Sequence, residues 1–151
     1  AETFGGVEHR IEFVRMLDGV KYYNDSIATS PTRTIAGLNS FDQKLIVLAG
    51  GYDKKIPFEP LAPVLIKRVK VLILMGVNAQ KIKAAVTSCE GYDPSELEII
   101  EVSSMEAAVE TAHRIAKAGD VVTLSPACAS FDMYPNFEAR GIHYKKLVNA
   151  L

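Results

Sequence analysis

Only two cysteines, Cys89 and Cys128, occur in the 151 residues. That is too few for a disulfide framework, and they lack the spacing of metal ligands, so a reducing cytoplasm is the expected setting. Net charge is equally scarce. Lys and Arg number 17 against 18 Asp and Glu, a balance of -1, which argues against nucleic acid or an anionic membrane as partner and leaves any anionic ligand to local groups. No apolar run approaches the ~20 residues that cross a bilayer. The N-terminus has no charged region followed by a hydrophobic one, so export is not expected. Gly-x-x-x-x-Gly-Lys-Ser/Thr does not occur, nor does Gly-x-Gly-x-x-Gly. The chain therefore carries neither a P-loop to grip ATP nor a dinucleotide fingerprint. It has no internal repeat and no low-complexity tract.

What is present suits one globular domain. At 48% hydrophobic and 23% charged, a chain of this length buries roughly 70% of its unfolded surface. The small, Gly-rich residues 1–6 read as a linker remnant, with the domain occupying 7–151. Ile11 to Leu17 and Val20 to Tyr23 alternate as strands around Asp18-Gly19, a hairpin dipeptide. Strands are expected at Lys44 to Ala49, Val69 to Met75, Leu97 to Val102 and Asp120 to Leu124. Between them the pattern predicts helices: Pro31 to about Phe41, Phe58 to Lys67, one after Asn78 with Ile82, Ala85 and Val86 inward, and Ser103 to about Ala118. Ser103 with Glu106 has capping-box spacing, and Gly119 suits the position after a helix end. A terminal helix runs from Phe137 to Leu151. Strands alternating with helices of ~10–15 residues make a mostly parallel sheet, so the fold class is a three-layer, Rossmann-like α/β domain with an N-terminal β-hairpin.

Ligand chemistry concentrates where strands run into helices. Leu124 to Gly141 passes from an apolar strand into small residues and then a polar, aromatic helix start, and reads as a ligand turn rather than as core. The hydroxyls of Ser125 and Ser130 and the free amides ahead of the helix suit a carboxylate or phosphate, as the carboxyl end of an α/β strand often does; the same residues also read as an ordinary capped connection. Asn24 to Pro31 is a second such turn, with Ser30 as N-cap and Pro31 at the first helical position. It leaves Asp25 and Thr29 for polar work or for turn chemistry. Gly50-Gly51 turns sharply out of a strand toward Lys54. Arg10 offers a planar fork to phosphate beside His9, or forms with it a solvated pair at a strand edge. His113 and His143 read as surface or packing residues.

Ser125-Pro126-Ala127-Cys128-Ala129-Ser130 followed by Asn136-Phe137-Glu138-Ala139-Arg140-Gly141 resembles a signature near the C-terminus of the bacterial Mur ligases, in the branch that adds D-glutamate. Gly6 to Arg10, Asn24 to Thr29 and Gly50 to Lys54 resemble the corresponding segments, in family order. The resemblance implies an ATP-dependent ligase that phosphorylates the carboxylate of UDP-N-acetylmuramoyl-L-alanine to an acyl phosphate, which D-glutamate then attacks, with Mg2+ offsetting charge. By that resemblance Lys54 and Thr29 hold the α-carboxylate of D-glutamate, and Ser130 with the Phe137 amide holds its side-chain carboxylate. Arg10 reaches ATP phosphate and Asp25 the ribose, with His9 nearby. No catalytic residue and no metal ligand is assigned to this chain. Ile27 departs from the family, where lysine is frequent, as do Tyr52 and Asp53 where relatives carry Asp-Gly. UDP-binding and ATPase domains are expected to precede the chain, which alone is expected to be an inactive, cytoplasmic monomer without a tightly held cofactor. The rival readings are a sister Mur or folylpolyglutamate-type ligase domain and a free-standing, non-catalytic α/β binding module.

Overall fold

Asp18 and Gly19 both turn with positive φ, 54° and 79°, the requirement of a two-residue hairpin loop that matches strand twist. They join β1 (Glu12–Leu17) to β2 (Val20–Asn24), which pair antiparallel with a register shift between Phe13 and Arg15. This computed structural model describes residues 7–52, 55, 57–130 and 133–151. The expected linker at 1–6, and Asp53 and Lys54, lie outside the described residues.

The chain continues through α1 (Pro31–Leu38), β3 (Leu45–Ala49), α2 (Ala62–Arg68), β4 (Val69–Leu74), α3 (Ala79–Thr87), β5 (Glu98–Glu101), α4 (Met105–Ile115), β6 (Val121–Leu124) and α5 (Phe137–Asn149). The sheet order is β1-β2-β6-β3-β4-β5, parallel throughout except for the first pair.

All five residues of β3 are buried, as in a strand covered on both faces. Successive side chains point oppositely, so Leu45, Val47 and Ala49 join one core with Leu38 of α1, Leu65 of α2 and Ile82 of α3. Ile46 and Leu48 join the other, with Val109 of α4 and Tyr144 and Val148 of α5. Two helical layers thus sandwich the sheet, as the alternation of elements predicts. The connections from β2 to β5 cross one face, and the return through α4 crosses the other. That return inserts β6 between β2 and β3, placing the loops after β2, β6 and β3 side by side at the carboxyl edge. Such a reversal of strand order opens a crevice.

Several helix boundaries differ from the sequence expectation. Ser104, not Ser103, caps α4, its Oγ accepting from the Ala107 amide at 3.0 Å. The helix ends at Ile115 because the Asp120 carboxylate takes the Lys117 amide at 2.8 Å and turns the chain. Gly119 is therefore a turn residue, with φ 95°, whose amide bonds the Gly19 carbonyl. Phe58 to Leu61 form a hydrogen-bonded turn ahead of α2, which starts at Ala62 with Pro63 in its first turn. Phe41 lies beyond α1, its ring edge-on to Tyr23.

Candidate functional site

Asn24 ends β2 fully buried. Its Oδ1 accepts the Ser26 amide at 3.0 Å, an Asx turn that redirects the chain. Its Nδ2 donates to Glu12 Oε1 and lies 2.9 Å from His9 Nδ1. Since an amide nitrogen only donates, His9 Nδ1 accepts and the ring proton sits on Nε2, which faces Glu8 at 3.7 Å. His9 is 3% exposed and edge-on to Phe137. It fits under Gly141 of α5, where any Cβ would overlap its ring. The structure therefore places His9 as packing between the β2 turn and α5.

Asp25 is next, 4% exposed. Its Oδ1 accepts the Ile11 amide at 3.1 Å, and Oδ2 lies against Gly37 of α1, where a Cβ would overlap it. Burial pushes its pKa from 3.8 up to about 6, against the opposing pull of the Ile11 amide and of Arg10 and Arg33. Asp25, Arg10, Arg33, Ile11, Ile27 and Gly37 line a cleft of about 220 Å³. Because the folded-state pKa lies above the ordinary value, folding takes up a proton, and this group's contribution to stability declines as pH rises from about 4 to about 6. Asp25→Asn is expected to raise Tm at neutral pH and flatten that part of a Tm-against-pH profile. An unchanged slope in the variant would contradict the assignment.

The loops after β3 and β6 are laced together. Gly50 donates to the Pro126 carbonyl at 2.9 Å, Tyr52 to Ala129 at 2.8 Å, and Asn78 to Gly51 at 3.1 Å. Ala127, with φ 63°, donates to Ala28 at 2.9 Å and so joins the β2 loop to the others. Arg140, 2% exposed, ties the same loops from α5. Its Nε donates to Ser26 Oγ, Nη2 to the Ser26 carbonyl and Nη1 to the Cys128 carbonyl, at 3.0, 2.8 and 3.0 Å. Ser26 Oγ donates in turn to the Phe137 carbonyl at 2.7 Å.

On this frame Thr29 is half-buried beside the Ala28–Ala127 link, and Ser130 is 3% exposed. Phe137 opens α5, where Asn136 caps the Ala139 amide at 2.8 Å. The Phe137 and Glu138 amides make no hydrogen bond among the described residues; free first-turn amides attract carboxylates. Ser125 differs from its sequence reading. It is 1% exposed and donates to Thr34 Oγ1 at 3.1 Å, so its hydroxyl is structural. Ala127 and Cys128 likewise join the core, so the turn serves packing as well. The reading from sequence passed over Arg33 and Gly37, although their spacing of four on α1 puts them on one helix face. It noted Arg140 only as part of a motif. Among the described residues no group of three or more His, Cys, Asp and Glu is placed to hold a metal, and no helix is long and apolar enough to cross a membrane.

Residues 9–128 match the protein family described as Mur ligase, glutamate ligase domain. The whole chain is 60% identical to UDP-N-acetylmuramoylalanine--D-glutamate ligase of Clostridium botulinum (strain Hall) and spans 33% of that relative's length. Among solved structures, the murein peptide ligase mpl of Psychrobacter arcticus superposes with a TM-score of 0.65 at 16% identity, over 98% of this chain and 31% of that one. A bifunctional folylpolyglutamate synthase/dihydrofolate synthase of Yersinia pestis, complexed with AMPPNP and Mn ion, gives 0.63 at 16% identity, over 96% and 31%. At such identities the structural likenesses establish the fold alone.

Proposed function

The chain belongs to the Mur ligase family, as a glutamate ligase domain, and from this premise we propose that it is the amino-acid-binding domain of the ligase that joins D-glutamate to UDP-N-acetylmuramoyl-L-alanine at the expense of ATP. The observation that carries this reading is the 60% identity across all 151 residues to a relative named for that reaction. Because the chain spans about a third of such relatives, it acts in this reading as one domain of a larger cytoplasmic enzyme, a monomer whose UDP-binding and ATPase domains lie outside it.

A dicarboxylate needs donors at two fixed places, charge-assisted where they are strongest. Lys54 and Thr29 take the α-carboxylate. Ser130 and the free Phe137 amide at the start of α5 take the side-chain carboxylate, helped by the positive end of the helix. These contacts orient the amine toward the second domain's substrate. The Asp25 cleft fits the nucleotide: a buried carboxylate suits ribose hydroxyls as an acceptor, and Arg10 suits phosphate. His9 holds the β2 turn against α5 so that Asp25 faces the cleft. Bound ATP supplies the phosphoryl group that activates the acceptor carboxylate. In this reading Mg2+ accompanies ATP in the full-length enzyme and offsets charge on the transferring phosphoryl group.

Two measurements test this. An amide NMR titration with D-glutamate should shift Thr29, Ser130 and Phe137, with weak affinity of ~1 mM or poorer for a half-built cleft, and L-glutamate should not. The full-length protein should release ADP only when D-glutamate and the UDP-linked acceptor are both present, and the isolated chain should release none. Dependence on another amino acid would overturn the D-glutamate assignment, and turnover by the isolated chain would overturn its role as a partial site.

A further inference from the structure

We propose that Arg33 is a second phosphate-binding side chain of the Asp25 cleft, acting with Arg10 on a phosphate oxyanion of the nucleotide. The inference rests on the reading above and adds to it a residue that the family resemblance does not assign. Arg33 and Arg10 line the same cleft and act on the same buried carboxylate. The rest of the lining is apolar or small, with Ile11, Ile27, Ala36 and Gly37, so Arg10 and Arg33 are the cationic side chains of the cleft.

Three other arginines of the domain have structural work, while Arg114, exposed and also unbonded among the described residues, lies in the last turn of α4, where the helix dipole favours a cation. Arg15 bonds carbonyls at the end of α5, Arg68 bonds Asn39 and the Phe41 carbonyl, and Arg140 bonds Ser26 and Cys128. The guanidiniums of Arg10 and Arg33 make no hydrogen bond or ion pair among the described residues, and neither is ion-paired with Asp25. Arg33 is also placed against its own helix. It sits in the first turn of α1, which contains no acidic residue, so its charge faces the positive end of the dipole. Arg33 is thus disfavoured by its own helix end, exposed and unbonded, and lies beside the buried Asp25 carboxylate, where its guanidinium is available to an anion arriving from outside. Two guanidiniums over one carboxylate leave a positive excess that a polyphosphate neutralises, and each planar fork can bond two phosphate oxygens.

The test uses the full-length protein. Arg33→Ala is expected to raise the Kd for AMPPNP and the KM for ATP about tenfold, the scale of a lost charge-assisted hydrogen bond. Affinities for D-glutamate and for the UDP-linked acceptor should stay unchanged, and Arg33→Lys should recover part of the loss. A Kd for AMPPNP within twofold of the parent's would overturn the proposal. So would a loss confined to the UDP-linked acceptor, which would mean that the phosphate belongs to that substrate. The functional reading fails separately, if the parent protein releases no ADP in response to D-glutamate.

Discussion

Arg140→Ala is expected to destabilise the domain by about 3–5 kcal/mol, the combined scale of buried acceptors left without a donor and of a truncated buried side chain. The side chain is 2% exposed and donates to three oxygens on two loops. Its loss leaves the Ser26 and Cys128 carbonyls without that donor, at about 1–3 kcal/mol for each group left unsatisfied, together with a cavity under α5. For a domain of this size the fall in Tm is roughly 6–20 °C. The damage is also functional, because Ser26 Oγ links Arg140 to the Phe137 carbonyl at the start of α5. If the domain binds D-glutamate as proposed, the shifts it induces at Ser130 and Phe137 should vanish in the variant even well below its Tm. Lysine is no substitute, since an ammonium cannot present a planar fork to three acceptors. A Tm within about 2 °C of the parent's would show that the loops hold one another without this hub.

Gly50→Ala is expected to cost about 3 kcal/mol or more, through backbone strain plus lost hydrogen bonds. Gly50 has φ 113°, and a Cβ there would overlap the Met75 carbonyl oxygen, a backbone atom that no rotamer change can move. The surrounding bonds oppose relief: Gly50 donates to Pro126 at 2.9 Å and Met75 to Ala49 at 3.0 Å. Accommodation must part β3 from β4 at their carboxyl ends or release the β6 loop, and either disturbs the crevice. Gly119→Ala is the control. Its φ is 95° but nothing lies within 4 Å of the added Cβ, so only a conformational penalty of about 1 kcal/mol is expected. Thermal unfolding of the two variants side by side checks the contrast, and equal losses would assign the Gly50 effect to φ alone.

Much of this architecture was legible in the chain itself. Asp18-Gly19 announces the hairpin, Ser30-Pro31 the start of α1, and the unbroken apolar run of β3 a strand covered on both faces, because each signal depends on a few neighbouring residues. The errors fell where a neighbouring group competes. Ser103 has the capping-box spacing, yet the neighbouring Ser104 caps α4, its Oγ accepting the Ala107 amide at 3.0 Å. Gly119 looks like a helix end until the Asp120 carboxylate stops α4 short of it.

The candidate site divides in the same way. Side-chain types and their spacing single out Asp25, Arg10, Thr29 and Ser130 as candidates, since a strand-to-helix turn advertises itself locally, whereas Phe137 enters only through the family resemblance. Sequence could not foretell that Ser125 donates to Thr34, 91 residues away, or that His9 is sealed beneath Gly141. Nor could it show that Arg33 and Gly37 share a cleft with Asp25, or that Arg140 binds the loops of β2 and β6. These are contacts between segments far apart in the chain, created when β6 inserts between β2 and β3. Local chemistry is written in neighbouring residues, whereas burial, and with it the raised pKa of Asp25, exists only once remote elements close around it.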